Sequence, residues 1–207
     1  MSEYLLSTSG LTKQFGHHKA VNNVDLHVKK GAIYGFIGRN GAGKTTFLKM
    51  ISGLSKPTDG EIQMFGYRNE ELKNVRSRIS CLIEAPGIYG NMSAYHNLAI
   101  KCRLFGINDS KYIENILKIV GLSEVGKKKT KHFSLGMKQR LGIGLALVGE
   151  PDLLVLDEPI NGLDPQGIAE IRDMLLRLKE EQNMTIVISW RNYQRSRHTT
   201  ESFTTEV

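Results

Sequence analysis

The sequence is poor in the features that mark a secreted or membrane-spanning chain. It holds only two cysteines in 207 residues, which does not suggest a disulfide framework and makes a reducing cytoplasm the simplest setting. No apolar run approaches the roughly 18 residues needed to cross a bilayer. The longest candidate, 141–149, is interrupted by Gly142 and Gly144. No Lys or Arg precedes the short patch Tyr4-Leu5-Leu6, so we expect no signal peptide.

Composition is otherwise ordinary, with no internal repeat and no low-complexity tract. The hydrophobic fraction of 40% is enough for one sizeable core, or for one core plus a small subdomain. The net charge of +7 is partly local, because Lys127, Lys128, Lys129 and Lys131 fall in one short loop. This loop is either simply solvated or attracted to an anionic membrane surface or nucleic acid. Charge alone does not choose between these interpretations.

Apolar runs of strand length alternate with segments of helical period along the chain. The predicted strands are 32–38, 61–65, 79–83, 153–156 and 185–189, and the predicted helices are 45–52, 94–105, 111–120, 134–148 and a segment capped by Asp164-Pro165. Strands that alternate with helices favour a largely parallel sheet covered on both faces. The pattern therefore predicts an α/β fold with a mostly helical insert at about residues 86–145.

The stretch 38–45 (GRNGAGKT) fits the phosphate-binding pattern G-x-x-x-x-G-K-[ST] in full. It follows a predicted strand and opens a predicted helix, where backbone N–H groups and the helix dipole attract phosphate. Lys44 is predicted to reach the β- and γ-phosphates, Thr45 to bind Mg²⁺, and Thr46 to donate near the α-phosphate. A turn that merely caps a helix would not explain every fixed position. The predicted nucleotide-binding residues of this loop are Gly38, Asn40, Gly41, Ala42, Gly43, Lys44, Thr45 and Thr46.

Two acids end the apolar run 153–156. An unpaired carboxylate is costly to bury, so acids at the tip of a buried strand favour a cation or a reacting water. Asp157 is the candidate partner of Mg²⁺, through a bound water. Glu158 is the candidate general base that deprotonates the attacking water. The alternative is an ordinary junction between a strand and a turn, where acids are common; the phosphate loop upstream favours the catalytic interpretation.

With these motifs the chain resembles the nucleotide-binding subunit of ATP-binding cassette (ABC) transporters over about residues 4–189. The stretch 133–140 (FSLGMKQR) looks like the family signature LSGGQ, and 161–164 (NGLD) looks like its D-loop. The resemblance implies one ABC ATPase domain at 1–189. Its expected fold is a P-loop NTPase (RecA-like) core with a mostly parallel sheet, an N-terminal antiparallel β part and a helical subdomain.

The resemblance also assigns residues away from the phosphate loop. Ser134 and Gly136 would close on the γ-phosphate held by a partner subunit, so that two subunits enclose two ATP molecules. Asp164, in the D-loop, would be a further nucleotide-binding residue, and Phe15 would stack on adenine. Leu135 departs from the family pattern, because it replaces the first signature glycine. The implied cofactors are ATP and Mg²⁺.

Glu84 is the most informative departure from the family. The resemblance implies a Gln here, linking Mg²⁺, water and the transmembrane partner, whereas this sequence has Glu. A carboxylate can accept hydrogen bonds as Gln does, but it cannot donate them. An acid at this point resembles the branch that exports or resists peptide antibiotics, such as bacitracin-type and lantibiotic-immunity transporters. Glu84 is therefore a candidate nucleotide and metal ligand.

The pattern of the family breaks after residue 189. The resemblance implies a His that contacts the γ-phosphate, but Arg191 stands at that position and His198 is too far along the chain to replace it. The tail 190–207 shows no strand or helix period. It is either the non-native product of an altered or truncated reading frame or the ending of a genuinely short subunit. In both cases we expect hydrolysis to suffer more than binding.

The sequence thus predicts the ATP-binding and ATP-hydrolysing subunit of an ABC transporter, exporting or conferring resistance to a peptide antibiotic. Its expected partners are a transmembrane permease and a second ABC subunit on ATP binding, with no nucleic acid. Its expected place is the cytoplasmic face of the membrane. One alternative is a soluble ABC ATPase acting on nucleic acid or ribosomes, although such proteins commonly join two cassettes and this chain has one phosphate loop. Another is a truncated cassette that binds ATP with little turnover.

Overall fold

The computed structural model describes residues 4–190, and strands and helices alternate along this range. The strands are β1 (Tyr4–Phe15), β2 (His18–Lys29), β3 (Ile33–Ile37), β4 (Asp59–Met64), β5 (Tyr67–Arg68), β6 (Ile79–Leu82), β7 (Leu153–Asp157) and β8 (Thr185–Trp190). The helices are α1 (Lys44–Ile51), α2 (Ala94–Leu104), α3 (Ser110–Ile119), α4 (Leu135–Leu147) and α5 (Pro165–Gln182), with 3₁₀ segments at Asn69–Arg78, Ser123–Val125 and Thr130–His132.

The strands form two sheets. One is antiparallel, in the order β2-β1-β4-β5. The other is parallel, in the order β3-β8-β7-β6. The predicted α/β fold with a parallel core sheet and an N-terminal antiparallel part is confirmed.

The apolar run of β7 is explained by cores on both faces of the parallel sheet. Leu153 and Val155 pack into one cluster with α1 and the antiparallel sheet. Leu154 and Leu156 pack into a second cluster with residues of α2 to α5. Side chains alternate along a strand, so a strand covered on both faces has no position for a polar side chain until Asp157, at its carboxyl end.

Three of the helices form the insert between β6 and β7. On α3, Ile113, Ile116 and Leu117 are buried at helical spacing, as predicted. The lysines at 127–129 and 131 are exposed, which both interpretations of this loop require. Within residues 4–190, no helix combines the length and the apolar character that crossing a membrane demands.

One predicted boundary differs at the end of the last strand. Trp190 was assigned to the aperiodic tail, but it is the final, buried residue of β8. Its indole ring packs against Gly35 of β3, where a Cβ atom would lie 3.0 Å from Cζ2. The remainder of the predicted tail, with Arg191 and His198, lies outside the described residues.

Candidate functional site

The predicted site residues meet because parallel strands end at the same edge of their sheet. The phosphate loop follows β3, and Asp157 and Glu158 close β7. The strand β8 lies between them and brings Ser189 opposite Asp157. Glu84 follows β6, on the other side of β7. Segments far apart in sequence are thus brought to one edge.

The phosphate loop owes its shape to two glycines. Gly41 and Gly43 have φ of 80° and 83°, a left-handed conformation that glycine adopts without penalty. A Cβ atom on Gly43 would also lie 2.0 Å from the backbone oxygen of Ala20. Residues 39–42 are exposed, so this loop is open to a ligand.

Lys44 begins α1 and curls back over the loop. Its Nζ donates hydrogen bonds to the carbonyl oxygens of Gly38, at 2.7 Å, and Arg39, at 3.0 Å. The side chain is only 8% exposed, and Nζ lies 3.9 Å from Oε1 of Glu158. A buried cation next to the open loop has the charge that a phosphate chain requires.

Asp157 is held by hydroxyl groups on both of its oxygens. Thr45 Oγ1 donates to Oδ2 at 2.7 Å, and Ser189 Oγ donates to Oδ1 at 2.5 Å. Ser189 Oγ also accepts the backbone N–H of Glu158 at 3.0 Å. Ser189 was not among the predicted site residues, since a serine at the end of an apolar strand carries no motif. Its position two residues before Arg191, where the family resemblance implies a His that contacts the γ-phosphate, was the one available signal.

The two glutamates have unusual backbones. Glu158 has φ of 50° and Glu84 has φ of 67°, and such left-handed conformations cluster at functional sites. Glu84 accepts a hydrogen bond from Lys49 Nζ at 2.7 Å. This bond, and the charge of Lys49, lower the pKa of the Glu84 carboxyl. Glu84 is therefore paired with a lysine rather than joined to Thr45 and Asp157.

The donor set fits a Mg²⁺ ion that arrives with a nucleotide. Mg²⁺ prefers oxygen ligands and usually takes one or two protein groups beside phosphates and water. The Thr45 hydroxyl and the Asp157 carboxylate supply such oxygens. In the described part of the chain, no group of three or more His, Cys, Asp or Glu could hold a metal ion on its own, so the phosphates would have to complete the shell.

Ser134, Gly136 and Asp164 form a second group at the starts of α4 and α5. Ser134 Oγ accepts the N–H of Met137 at 3.2 Å, and Asp164 Oδ1 accepts the N–H of Gly167 at 3.1 Å. Both residues are therefore helix caps. The two segments lie against each other. A Cβ atom on Gly136 would lie 3.7 Å from Leu163 Cδ2, and one on Gly162 would lie 3.2 Å from Leu135 Cδ2.

Phe15 and Thr46 flank the loop. Phe15 ends β1 with 56% of its surface exposed, and the ammonium of Lys13 lies 5.1 Å from its ring centre. The strand β2, paired with β1, passes Ala20 against Gly43, which brings this hairpin to the phosphate loop. Thr46 lies half-buried in the first turn of α1.

The loop between a parallel strand and a helix, with acids at the end of a nearby strand, defines a P-loop nucleotide-binding protein. Comparison with known families narrows the class: the ABC transporter family matches residues 21–161. The chain belongs to the ABC transporter family. The expected family is therefore confirmed.

Two curated relatives and one solved structure illustrate the similarity. The chain is 50% identical to the bacitracin transport ATP-binding protein BcrA of Enterococcus faecalis, over 90% of this chain and 61% of the relative. It is 43% identical to the lantibiotic transport ATP-binding protein SrtF of Streptococcus pyogenes, over 89% of this chain and 79% of the relative. It thus spans about three fifths of the length of the BcrA-type relatives.

The solved structure is that of the ATP-binding cassette MJ0796, described as a dimer in a post-hydrolysis state bound to ADP and Pi. It superimposes with a TM-score of 0.78 at 26% identity, over 90% of this chain and 88% of that chain. A cassette of this family thus holds nucleotide on this fold.

Proposed function

We propose that this chain binds Mg-ATP, hydrolyses it, and works as the ATPase subunit of an ABC transporter. The observation that carries the proposal is the contact between Thr45, at the start of α1, and Asp157, at the end of β7. It joins the phosphate loop to the acidic strand end, so that groups for binding and for hydrolysis share one edge of the sheet.

The chain's own residues divide the work as follows. The exposed loop N–H groups and Lys44 bind the phosphates, and Lys44 exchanges its carbonyl partners for phosphate oxygens. Thr45 and Asp157 would hold Mg²⁺, which would supply positive charge beside the phosphates. Glu158, tethered by Ser189 and 3.9 Å from Lys44, accepts the proton of the attacking water.

The second group of residues supports action as a dimer. Ser134 and Gly136 open α4, and an accessible helix start is a favourable site for a phosphate. We propose that this start closes on the γ-phosphate bound by a second copy or a paired ABC subunit, with Asp164 at the same interface. The dimeric state described for MJ0796 supports this arrangement.

Similarity to BcrA and SrtF supports a role in export of, or resistance to, a peptide antibiotic. Glu84 supports the same branch, because it replaces the Gln implied by the wider family. On this proposal the chain lies at the cytoplasmic face of the membrane and works with a membrane-embedded permease.

The first test is a thermal melt of the purified chain with and without Mg-ATP, combined with a phosphate-release assay. Saturation at 100 times the dissociation constant should add about 2.7 kcal/mol of stability. Lys44→Ala should remove this shift, whereas Glu158→Gln should keep the shift and lose phosphate release. A wild-type chain that gains stability without releasing phosphate would support binding without turnover. Equal turnover in Glu158→Gln would overturn the assigned base.

The second test addresses the substrate and the partner. Cells that express the chain together with its permease should tolerate more bacitracin or lantibiotic than cells that express Glu158→Gln with the same permease. Equal sensitivity to these peptides would contradict the antibiotic role. Salt-sensitive binding of RNA, without association with membranes, would favour an ATPase that acts on nucleic acid.

A further inference from the structure

One face of α1 contacts the ends of two neighbouring strands. Thr45 and Lys49 are separated by four residues, so they share a face of the helix. Thr45 Oγ1 bonds to Asp157 at the end of β7, and Lys49 Nζ bonds to Glu84 beyond the end of β6. The phosphate-binding helix therefore contacts one acid after each of two neighbouring strands. The sequence motif marks only the first contact, between Thr45 and Asp157.

Glu84 adds a negative charge where two others already lie. Leu82 of β6 pairs with Leu156 of β7, so Glu84, two residues beyond β6, follows the same edge of the parallel sheet as Asp157 and Glu158. The hydrogen bond and the charge of Lys49 lower the pKa of the Glu84 carboxyl, so Lys49 is the cation that balances this added charge. A Gln at the same position would add no charge and would need no cation beside it.

Lys49 is well suited to balance that charge. It lies in the last turn of α1, where the helix dipole favours a cation. Its ammonium is 2.7 Å from Glu84 Oε1, a charge-assisted distance. The backbone of Glu84 is left-handed, with φ of 67°. The chain therefore turns sharply after β6 at the residue whose carboxylate contacts Lys49.

We propose that Lys49 is a positioning residue that holds the Glu84 carboxylate at the nucleotide site and offsets its charge. The inference rests on the proposed function, because it assigns to Lys49 a role in Mg-ATP turnover. It predicts that the need for Lys49 depends on the acid: with Glu at position 84 the lysine matters, and with Gln it does not.

The test is a double-mutant cycle in the full chain with Lys49→Met, Glu84→Gln and the double variant. We expect Lys49→Met to lower kcat about tenfold and to change the Mg²⁺ concentration at half-maximal rate. In the Glu84→Gln background the same change should alter both quantities less than about threefold. Lys49→Arg, which keeps the charge, should behave like the wild type.

The cycle separates positioning from a structural role and from the proposed function. A purely structural lysine would lower Tm equally in both backgrounds and would leave the Mg²⁺ dependence unchanged; this result, or equal losses of kcat in the Glu and Gln backgrounds, would overturn the proposal. If the wild type hydrolyses Mg-ATP while either of these results is found, only the role of Lys49 is overturned, and the proposed function stands. A wild type without Mg-ATP turnover would instead overturn the proposed function, and this inference with it.

Discussion

Ser189 links the two acids of the site through one hydroxyl group. It is fully buried, donates to Asp157 and accepts the N–H of Glu158. Ser189→Ala removes both bonds. The N–H of Glu158 keeps its second acceptor, the backbone oxygen of Ser189 at 3.1 Å, whereas Asp157 Oδ1 loses the hydroxyl that donates to it, at a cost of about 1–3 kcal/mol. We expect kcat for ATP hydrolysis to fall by about tenfold to a hundredfold, while the nucleotide-induced shift in Tm changes less.

Ser80→Ala is the matched control for this prediction. Ser80 lies in β6 of the same parallel sheet, away from the hydrogen bonds that join Thr45, Asp157 and Ser189. The kcat of Ser80→Ala should therefore stay within about twofold of the wild-type value. An equal loss in both variants would show that the effect comes from the sheet rather than from the site.

Two glycines of the phosphate loop should respond differently to the same change. Gly43 has a left-handed backbone, and a Cβ added to it would clash with the backbone oxygen of Ala20 at 2.0 Å. A Cβ added to Gly38 would meet side-chain atoms of Ala42 and Lys44 at ordinary contact distances, the nearest at 3.4 and 3.6 Å. We expect Gly43→Ala to lower the unfolding free energy by more than about 1 kcal/mol, and Gly38→Ala to change it by less than that. Melting without nucleotide decides this, and equal Tm values would contradict the assigned strain.

The sequence predicted the motif residues of the site but not their supporting residues. Lys44, Thr45, Asp157 and Glu158 follow from fixed spacings, and the structure joins them by direct contacts. Ser189 and Lys49 act through contacts with residues 32 and 35 positions away. Such contacts depend on which strands become neighbours, and local spacing does not encode that order.

At the scale of elements, the start of α5 offers a test of capping. Asp164 Oδ1 accepts the N–H of Gly167, and Pro165 opens the helix. Asp164→Ala should cost about 1 kcal/mol, which lowers Tm by about 2–4 °C in a chain of this size. Asp164→Asn keeps an acceptor oxygen and should melt close to the wild type. A Tm for the alanine variant within error of the wild type would remove the capping role.

Elements with a regular period were predicted well, and irregular ones were not. The spacing predicted α3 and the capped start of α5 correctly, because an amphipathic stripe and a cap are local signals. The strands β1 and β2 were expected only through the family resemblance, as an N-terminal antiparallel part. Their pairing has several register shifts, and such bulges break the alternation by which a strand is recognised. The end of β8 was missed by one residue, since Trp190 extends a strand whose next residues change in character.

At the scale of the whole molecule, nucleotide binding should change the oligomeric state. A chain of 23.2 kDa that cannot turn over its nucleotide should accumulate as a closed dimer. We expect Glu158→Gln to double its mass on adding Mg-ATP, as measured by light scattering after size-exclusion chromatography. The same variant with Lys44→Ala added should keep the mass of a single chain. An unchanged mass for Glu158→Gln under saturating Mg-ATP would contradict the dimer.

The order of the parallel sheet also governs when the ATP site can form during synthesis. The phosphate loop follows β3, whose partner in the described sheet is β8, with Ile33 opposite Ile186. At about 5–20 residues per second, translation separates these two strands by roughly 8–30 s. Throughout that interval a nascent chain carries its complete phosphate-binding motif on a strand that lacks this neighbour. The nucleotide site is therefore complete only when nearly all of the described chain has left the ribosome. ATP binding can then stabilise the last stage of folding, but not the first.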